Sequence, residues 1–186
     1  MFPFNRQQTL HEELIPLLCD RLGVRTYLEL GCHENETISK VRERCTSASW
    51  HTDGWGIKIH AVDMKEPECR VPGVSYHIMS TRTFCREVAP SHAPYDLVFI
   101  DADHSYNSAL NDWMAIEPHV ADEGLILLHD TNPETVADTV PGLCGDSWRL
   151  AEQFRSMSVE ALTLPYHPGL TIYRKRKTWG PRQSGS

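Results

Sequence analysis

The sequence predicts an α/β fold: a doubly wound, mostly parallel seven-stranded sheet, with helices on both faces and an antiparallel hairpin at its C-terminal end. Three observations carry this expectation. The stretch 95–132 reads as an apolar strand, an acidic-histidine corner, an amphipathic helix, a Gly124 turn and a second aliphatic strand, which is a βαβ unit with adjacent parallel strands. Earlier, a strand over 25–30 meets Gly31 and a polar turn that opens a helix, and a second strand over 57–62 stops at Asp63. Last, two short runs over 159–164 and 169–174 are separated by 165–168, which carries a proline at each end. With the strand over 74–79 they complete a Rossmann-like order.

Each element has its own reason. Residues 9–22 place Leu10, Leu14, Leu17, Leu18 and Leu22 at helical spacing, a covering helix offset at Pro16 and ended by Gly23. Residues 25–30 are rich in β-formers. The turn from Glu29 to Thr37 leads into a helix over 37–45; it reads either as a backbone cradle for a ligand or as an ordinary strand-to-helix turn. Residues 47–56, with Trp50, His51 and Trp55, read as a lid or as a packed connector. Ser80 and Thr81 cap a helix running to about Val88. In 95–100 only Asp96 interrupts the apolar run. The helix over 105–117 puts Tyr106, Ala109, Leu110, Trp113, Met114 and Ile116 on its apolar side, with Asn107, Asn111 and Asp112 facing elsewhere. The strand over 125–128 follows, then a polar loop over 133–145, and a helix over 146–157 with Trp148, Leu150, Ala151 and Phe154 inward.

The totals bound the function. At 186 residues the chain reads as one domain, 1–186, with 1–8 and 175–186 flexible. A formal net charge of -7 argues against a nucleic-acid polymer as partner, though a small nucleotide remains compatible. Six cysteines without metal spacing, in a sequence with no signal peptide or membrane-length apolar run, predict a cytoplasmic protein. His11, His60, His77, His92, His119 and His167 show no clustering along the chain. Trp113 and Trp148 read as core.

The chemistry gathers at the carboxyl edge of the sheet, where such folds bind ligands. Asp101, Asp103 and His104 follow one strand; His129 and Asp130 follow its neighbour. Asp101 with Asp130 reads as a divalent-cation site or as a pair of capping residues. His104 reads as a general base or as a helix-start residue bonded to backbone. His129 reads as a ligand or a buried imidazole, and as a ligand it would shift preference from Mg²⁺ toward Mn²⁺, Fe²⁺ or Zn²⁺. Asp63 is placed to accept hydrogen bonds from a ribose diol.

Glu29-x-Gly31, Asp63, YDLVFIDADHSY, GLILLHDT and the closing GLTIYRK together resemble the class I S-adenosylmethionine-dependent methyltransferases over about 27–174. Within them the chain is similar to the small metal-dependent sugar and macrolide O-methyltransferases and to the catechol and caffeoyl-CoA group. The resemblance implies S-adenosyl-L-methionine held by Glu29, Gly31, Asn35, Thr37, Asp63, Met64, Ser80 and Asp101. It implies a divalent metal, Mg or Mn, on Asp101, His129 and Asp130, and catalysis by His104 or Asp103. The acceptor it implies is a small-molecule hydroxyl, with a homodimer as a further expectation. His33 and Asn35 stand where the family turn carries a second glycine, and the short N-terminal part points away from a catechol-like acceptor. A metal-dependent hydrolase or hydroxylase-like enzyme, or a non-catalytic partner subunit of the same fold, are the competing readings.

Overall fold

The computed structural model describes residues 10–46 and 56–177. The expectations for 1–8, for most of the 47–56 loop with Trp50, His51 and Trp55, and for the end of the basic tail lie outside the described residues. Seven strands form one sheet: β1 (Thr26–Leu30), β2 (Lys58–Asp63), β3 (Val74–Ile78), β4 (Tyr95–Ile100), β5 (Val120–His129), β6 (Glu160–Leu164) and β7 (Leu170–Arg174). Their spatial order is β3-β2-β1-β4-β5-β7-β6. β3 through β5 run parallel, while β7 pairs antiparallel with both β5 and β6. The predicted α/β sheet with its terminal hairpin is thus the observed one. Chain direction across the sheet reverses between β1 and β4, which is where such sheets open a crevice.

The helices are α1 (Leu10–Leu22), α2 (Glu36–Thr46), α3 (Thr81–Glu87), a single turn α4 (Ala89–His92), α5 (Tyr106–Ile116) and α6 (Trp148–Ser156). Each face of the sheet has its own apolar layer. Tyr27, Ile59, Leu97, Phe99 and Leu127 pack beneath Ile15 and Cys19 of α1 and Ile38 and Val41 of α2. Leu28, Val62, Val98, Ile126 and Leu128 pack against Phe84 of α3, Ala109 and Ile116 of α5, and Leu150 and Phe154 of α6. This alternation is the period-2 signature of strands buried on both sides. Trp113 joins that second layer, its ring 5.0 Å from Phe154 and 5.5 Å from Tyr173; Trp148 is only half-buried.

Ser80 caps α3 as its sequence predicts, Ser105 stands just ahead of α5 as its N-cap, and Ser147 stands at the N-cap of α6 without a side-chain cap bond. Ser80 accepts from Thr83 N and Ser105 accepts from Ser108 N. β5 is longer than the aliphatic run 125–128, because Val120 pairs with Tyr95 ahead of an irregularity in the β4–β5 register. The single turn α4 was not predicted: four residues carry too little periodicity to register.

Asp96, the lone acid in the β4 run, has a structural job. Its Oδ2 accepts from Arg25 N at 2.8 Å and from Thr26 N at 2.9 Å. These are the amides that start β1, so one carboxylate sets where the first strand begins against the fourth. Asp96→Ala is expected to cost about 1–3 kcal/mol, read as a lower thermal midpoint with an unchanged far-ultraviolet spectrum. A midpoint equal to wild type would show that water replaces the carboxylate at no cost.

Candidate active site

Parallel register builds the site. Ile100 and Leu128 are partners across β4 and β5, so Asp101 and His129 leave the sheet side by side. His129 Nδ1 lies 2.9 Å from Asp101 Oδ1 and 3.4 Å from Asp130 Oδ2. His104 reaches the same carboxylates from the loop before α5: its Nδ1 is 2.9 Å from Asp130 Oδ2, and its Nε2 is 3.7 Å from Asp101 Oδ1. A proton on His104 Nδ1 aligns with the Leu143 carbonyl at 2.5 Å. The contact with Asp130 is therefore one of charge rather than an aligned hydrogen bond. Asp130 adopts φ 57°, a left-handed conformation held in place by the surrounding structure.

The charges bind one another. The Asp130 carboxylate lifts the His104 pKa to about 9 against the pull of burial, and the Leu143 carbonyl adds to it. Burial pulls the His129 imidazole down, but Asp101 and Asp130 outweigh it and raise that pKa to about 10. Burial likewise disfavours the Asp130 carboxylate, and the two imidazoles overcome this and hold its pKa below the usual range. Behind His129 stands His11 of α1, buried, with ring centroids 4.2 Å apart. Burial, then the neighbouring His129, lowers the His11 pKa to about 4, so this third imidazole is neutral.

The other half of the cleft lies over β1 and β2. Gly31 has φ 90°, and a Cβ there would collide with the backbone of Asp101 and Ala102. Glycine is needed for both reasons. Asp63 Oδ2 accepts from His33 N at 3.0 Å and its Oδ1 from Lys65 N at 2.9 Å. Two amides thus hold the carboxylate and leave it lone pairs to spare. His33 and Asn35, which replace the expected second glycine, have φ 42° and 70°. The turn keeps a glycine-like backbone using two residue types that tolerate it.

One cleft of about 1030 Å³ joins both halves. Gly31, Asp63, Met64, Ser80, Asp101, Asp103, His104, His129 and Asp130 all line it. Glu29, Asn35 and Thr37 do not. The Glu29 side chain is buried and accepts from Tyr27 OH at 2.5 Å, and burial holds its carboxyl pKa well above the ordinary range. Asn35 is buried too, donating to Cys69 O at 2.7 Å and accepting from Tyr76 OH at 3.1 Å, so it ties the turn to the β2–β3 connection. Thr37 is buried in α2. Asp103 Oδ1 accepts from Ser105 N at 2.8 Å, a bond that also lowers its pKa.

Several lining residues had no sequence signal. Asp112 looked like a solvent-facing residue of α5; it is buried, accepts from Thr81 Oγ1 at 2.7 Å, and burial lifts its pKa to about 6. Leu143, Cys144 and His167 come from connections whose path no periodicity describes.

The donor set fits a cation. Ligand atoms of Asp101, His104 and Asp130 lie within 4.8 Å of one another, and His129, which the sequence reading set beside the two carboxylates, has its Nδ1 against the same pair. Asp130 Oδ2 and His129 Nε2 are buried without a hydrogen-bond partner among the described residues, the kind of orphaned atom that marks an interaction still to be made.

Comparison with known proteins bears on the fold. No curated protein sequence matches. Among solved structures, an O-methyltransferase from Bacillus cereus in complex with SAH aligns with TM-score 0.64 at 14% identity, over 94% of this chain and 84% of that one. TomG of Streptomyces achromogenes, an O-methyltransferase of tomaymycin synthesis in complex with SAM, aligns with TM-score 0.65 at 14% identity, over 95% and 84%. MycE of the mycinamycin pathway, in complex with Mg and SAH, aligns with TM-score 0.60 at 16% identity, over 96% of this chain but 54% of its own. At these identities the likeness is one of fold. The model of a family described as a methyltransferase domain matches residues 28–131, more than half of the chain, and the protein belongs to that family.

Proposed function

We propose that this protein is an S-adenosylmethionine-dependent O-methyltransferase that methylates a hydroxyl group of a small molecule with the help of a divalent cation. The observation that carries the reading is the continuity of the cleft. A glycine turn and a strand-end carboxylate, suited to a nucleoside, open directly onto a carboxylate-imidazole corner suited to a cation and an acceptor oxygen. The cleft is at the upper end of ligand-pocket sizes, with room for two reactants. The similar structures support the cofactor: SAM or SAH is bound in each of the three, and Mg in MycE.

Bound S-adenosylmethionine would supply a methyl group already activated on a sulfonium, and a bound divalent cation would supply Lewis acidity to the acceptor hydroxyl. The chain's own residues do the rest. Gly31 lets the turn after β1 lie directly against the backbone of Asp101 and Ala102, which brings the two halves of the cleft together. Asp63 offers its spare lone pairs to a diol. Asp101 and Asp130 present hard oxygens, which suit Mg²⁺ or Mn²⁺. His129 donates to Asp101 and holds that carboxylate in orientation. His104 is the better general base, because Asp103 is engaged with Ser105 N. It can accept a proton only once added positive charge offsets Asp130, which otherwise keeps the imidazole protonated near neutral pH. A hydroxyl carried by a small molecule, rather than by a polymer, suits a chain of net charge -7. Six unpaired cysteines support a cytoplasmic setting.

Two outcomes are expected. In calorimetric titration, S-adenosylmethionine and its demethylated product should bind with micromolar-range affinity. Asp63→Ala should weaken both by at least about tenfold, the worth of one or two charge-assisted hydrogen bonds, while circular dichroism stays unchanged. No binding to wild type would end the methyltransferase reading. Asp130→Asn should keep cofactor affinity but lose most turnover on a hydroxyl acceptor, by about a hundredfold or more, and chelator should bring wild type to the same level. Full activity under chelation would remove the cation from the mechanism and leave the acid-base corner alone.

A further inference from the structure

Three histidines that are far apart along the chain meet away from the cleft. His60 of β2 and His77 of β3 point to the same face of the sheet, and His92 ends α4 above them. His60 Nδ1 and His77 Nε2 are 3.1 Å apart. The His60 and His92 ring centroids are 4.6 Å apart, and those of His77 and His92 6.1 Å. Phe84 packs against His77 at 4.9 Å and Tyr95 meets His60 edge-on at 5.8 Å, so the cluster rests on an apolar floor. None of the three lines the cleft.

We infer that His60, His77 and His92 form a second metal site, selective for Zn²⁺ and similar imidazole-seeking divalent ions and separate from the carboxylate corner. Two imidazole nitrogens bound to one tetrahedral ion, each about 2.0–2.1 Å from it, stand about 3.3 Å apart. The His60–His77 pair is already close to that spacing. His92 is exposed on a single-turn helix, so its ring can turn toward the pair without disturbing packing. The donor set is nitrogen only, which suits Zn²⁺, Ni²⁺ or Cu²⁺ and excludes Mg²⁺ or Ca²⁺ by ligand hardness. A hydrogen bond between two ring nitrogens needs one donor and one acceptor, so at least one of the His60–His77 pair already presents a lone pair at this spot. A single hydrogen bond between them is what the ion replaces. Three ligands leave the fourth position to water on the exposed side.

The test separates this site from the cleft. In full-length Asp130→Asn protein, where the carboxylate corner is weakened, calorimetric titration with Zn²⁺ should show one equivalent bound in the micromolar range, and excess Mg²⁺ should not displace it. Adding His92→Asn, an exposed change that leaves the fold intact, should weaken that binding at least tenfold, as should His77→Asn. Co²⁺ in place of Zn²⁺ should give the intense visible absorption of a tetrahedral complex, lost in the same variants. Absence of Zn²⁺ binding in the Asp130→Asn protein, or binding that neither histidine substitution weakens, would overturn the proposal.

Discussion

The close approach of two strand ends governs this molecule. At the end of β1, Gly31 lies against the backbone of Asp101 and Ala102, where no side chain could fit. Two hydrogen bonds beyond the strands' own ladders lock the approach: Gly31 N to Val62 O and Asp101 N to Leu30 O, each 2.8 Å. The ends of β2, β1 and β4 are thereby laced together. Asp63 leaves on one side of the glycine and Asp101 on the other. The Asp63 half and the acid-imidazole half of the cleft are neighbours because that one residue has no Cβ.

On the Asp101 side, charge balance sets the next constraint. Two carboxylates and two imidazoles share a partly buried corner, and each imidazole is held protonated by the carboxylates beside it. The set is then close to neutral overall. A doubly charged ion entering it would bring the same compensation that the two imidazolium protons bring, so cation and protons compete for one pair of carboxylates. His11 shows the limit of this compensation. It lies against His129 yet stays neutral, since a third positive charge in a buried position would have no carboxylate of its own. The N-terminal helix thus closes the back of the corner with a neutral ring.

How much of this could be read from the sequence follows from how local each feature is. The strand over 95–100, the Ser80 cap and the β4–α5–β5 unit are written in contiguous residues, so periodicity and capping chemistry are enough. The juxtaposition of Asp101 with Asp130 follows from parallel register. The asymmetry of the glycine turn was legible as well, but its solution was not: His33 and Asn35 supply positive φ themselves, and Asn35 is held by Cys69 and Tyr76 from another connection. Residues whose role depends on a partner distant in sequence left no trace. Asp112 is buried by Thr81 from α3, and His60, His77 and His92 meet only after β2 and β3 have paired. Glu29 reads as a site residue at the sheet edge, yet pleat alternation turns it inward beside Tyr27 on the same face.

The connection over 133–147 shows why the least legible segment bears on the chemistry. It has little regular structure beyond the short 3₁₀ turn Val136–Thr139, closed by a capping box between Thr135 and Asp138. Its end is nonetheless bound tightly to the corner. Asp146 N and Ser147 N both donate to the His104 carbonyl, at 3.0 and 2.9 Å, and Ser147 Oγ donates to Asp130 O at 2.9 Å. Gly145, at φ 56°, passes so near that a Cβ would strike the same His104 carbonyl. Leu143 supplies the carbonyl that aligns with His104 Nδ1. This one segment therefore fixes the position of His104 and Asp130, while Val136 and Val140 are exposed. Its inner end, from Leu143 to Ser147, cannot shift without carrying His104 with it, because the hydrogen bonds of Leu143, Asp146 and Ser147 named here end on His104 or Asp130.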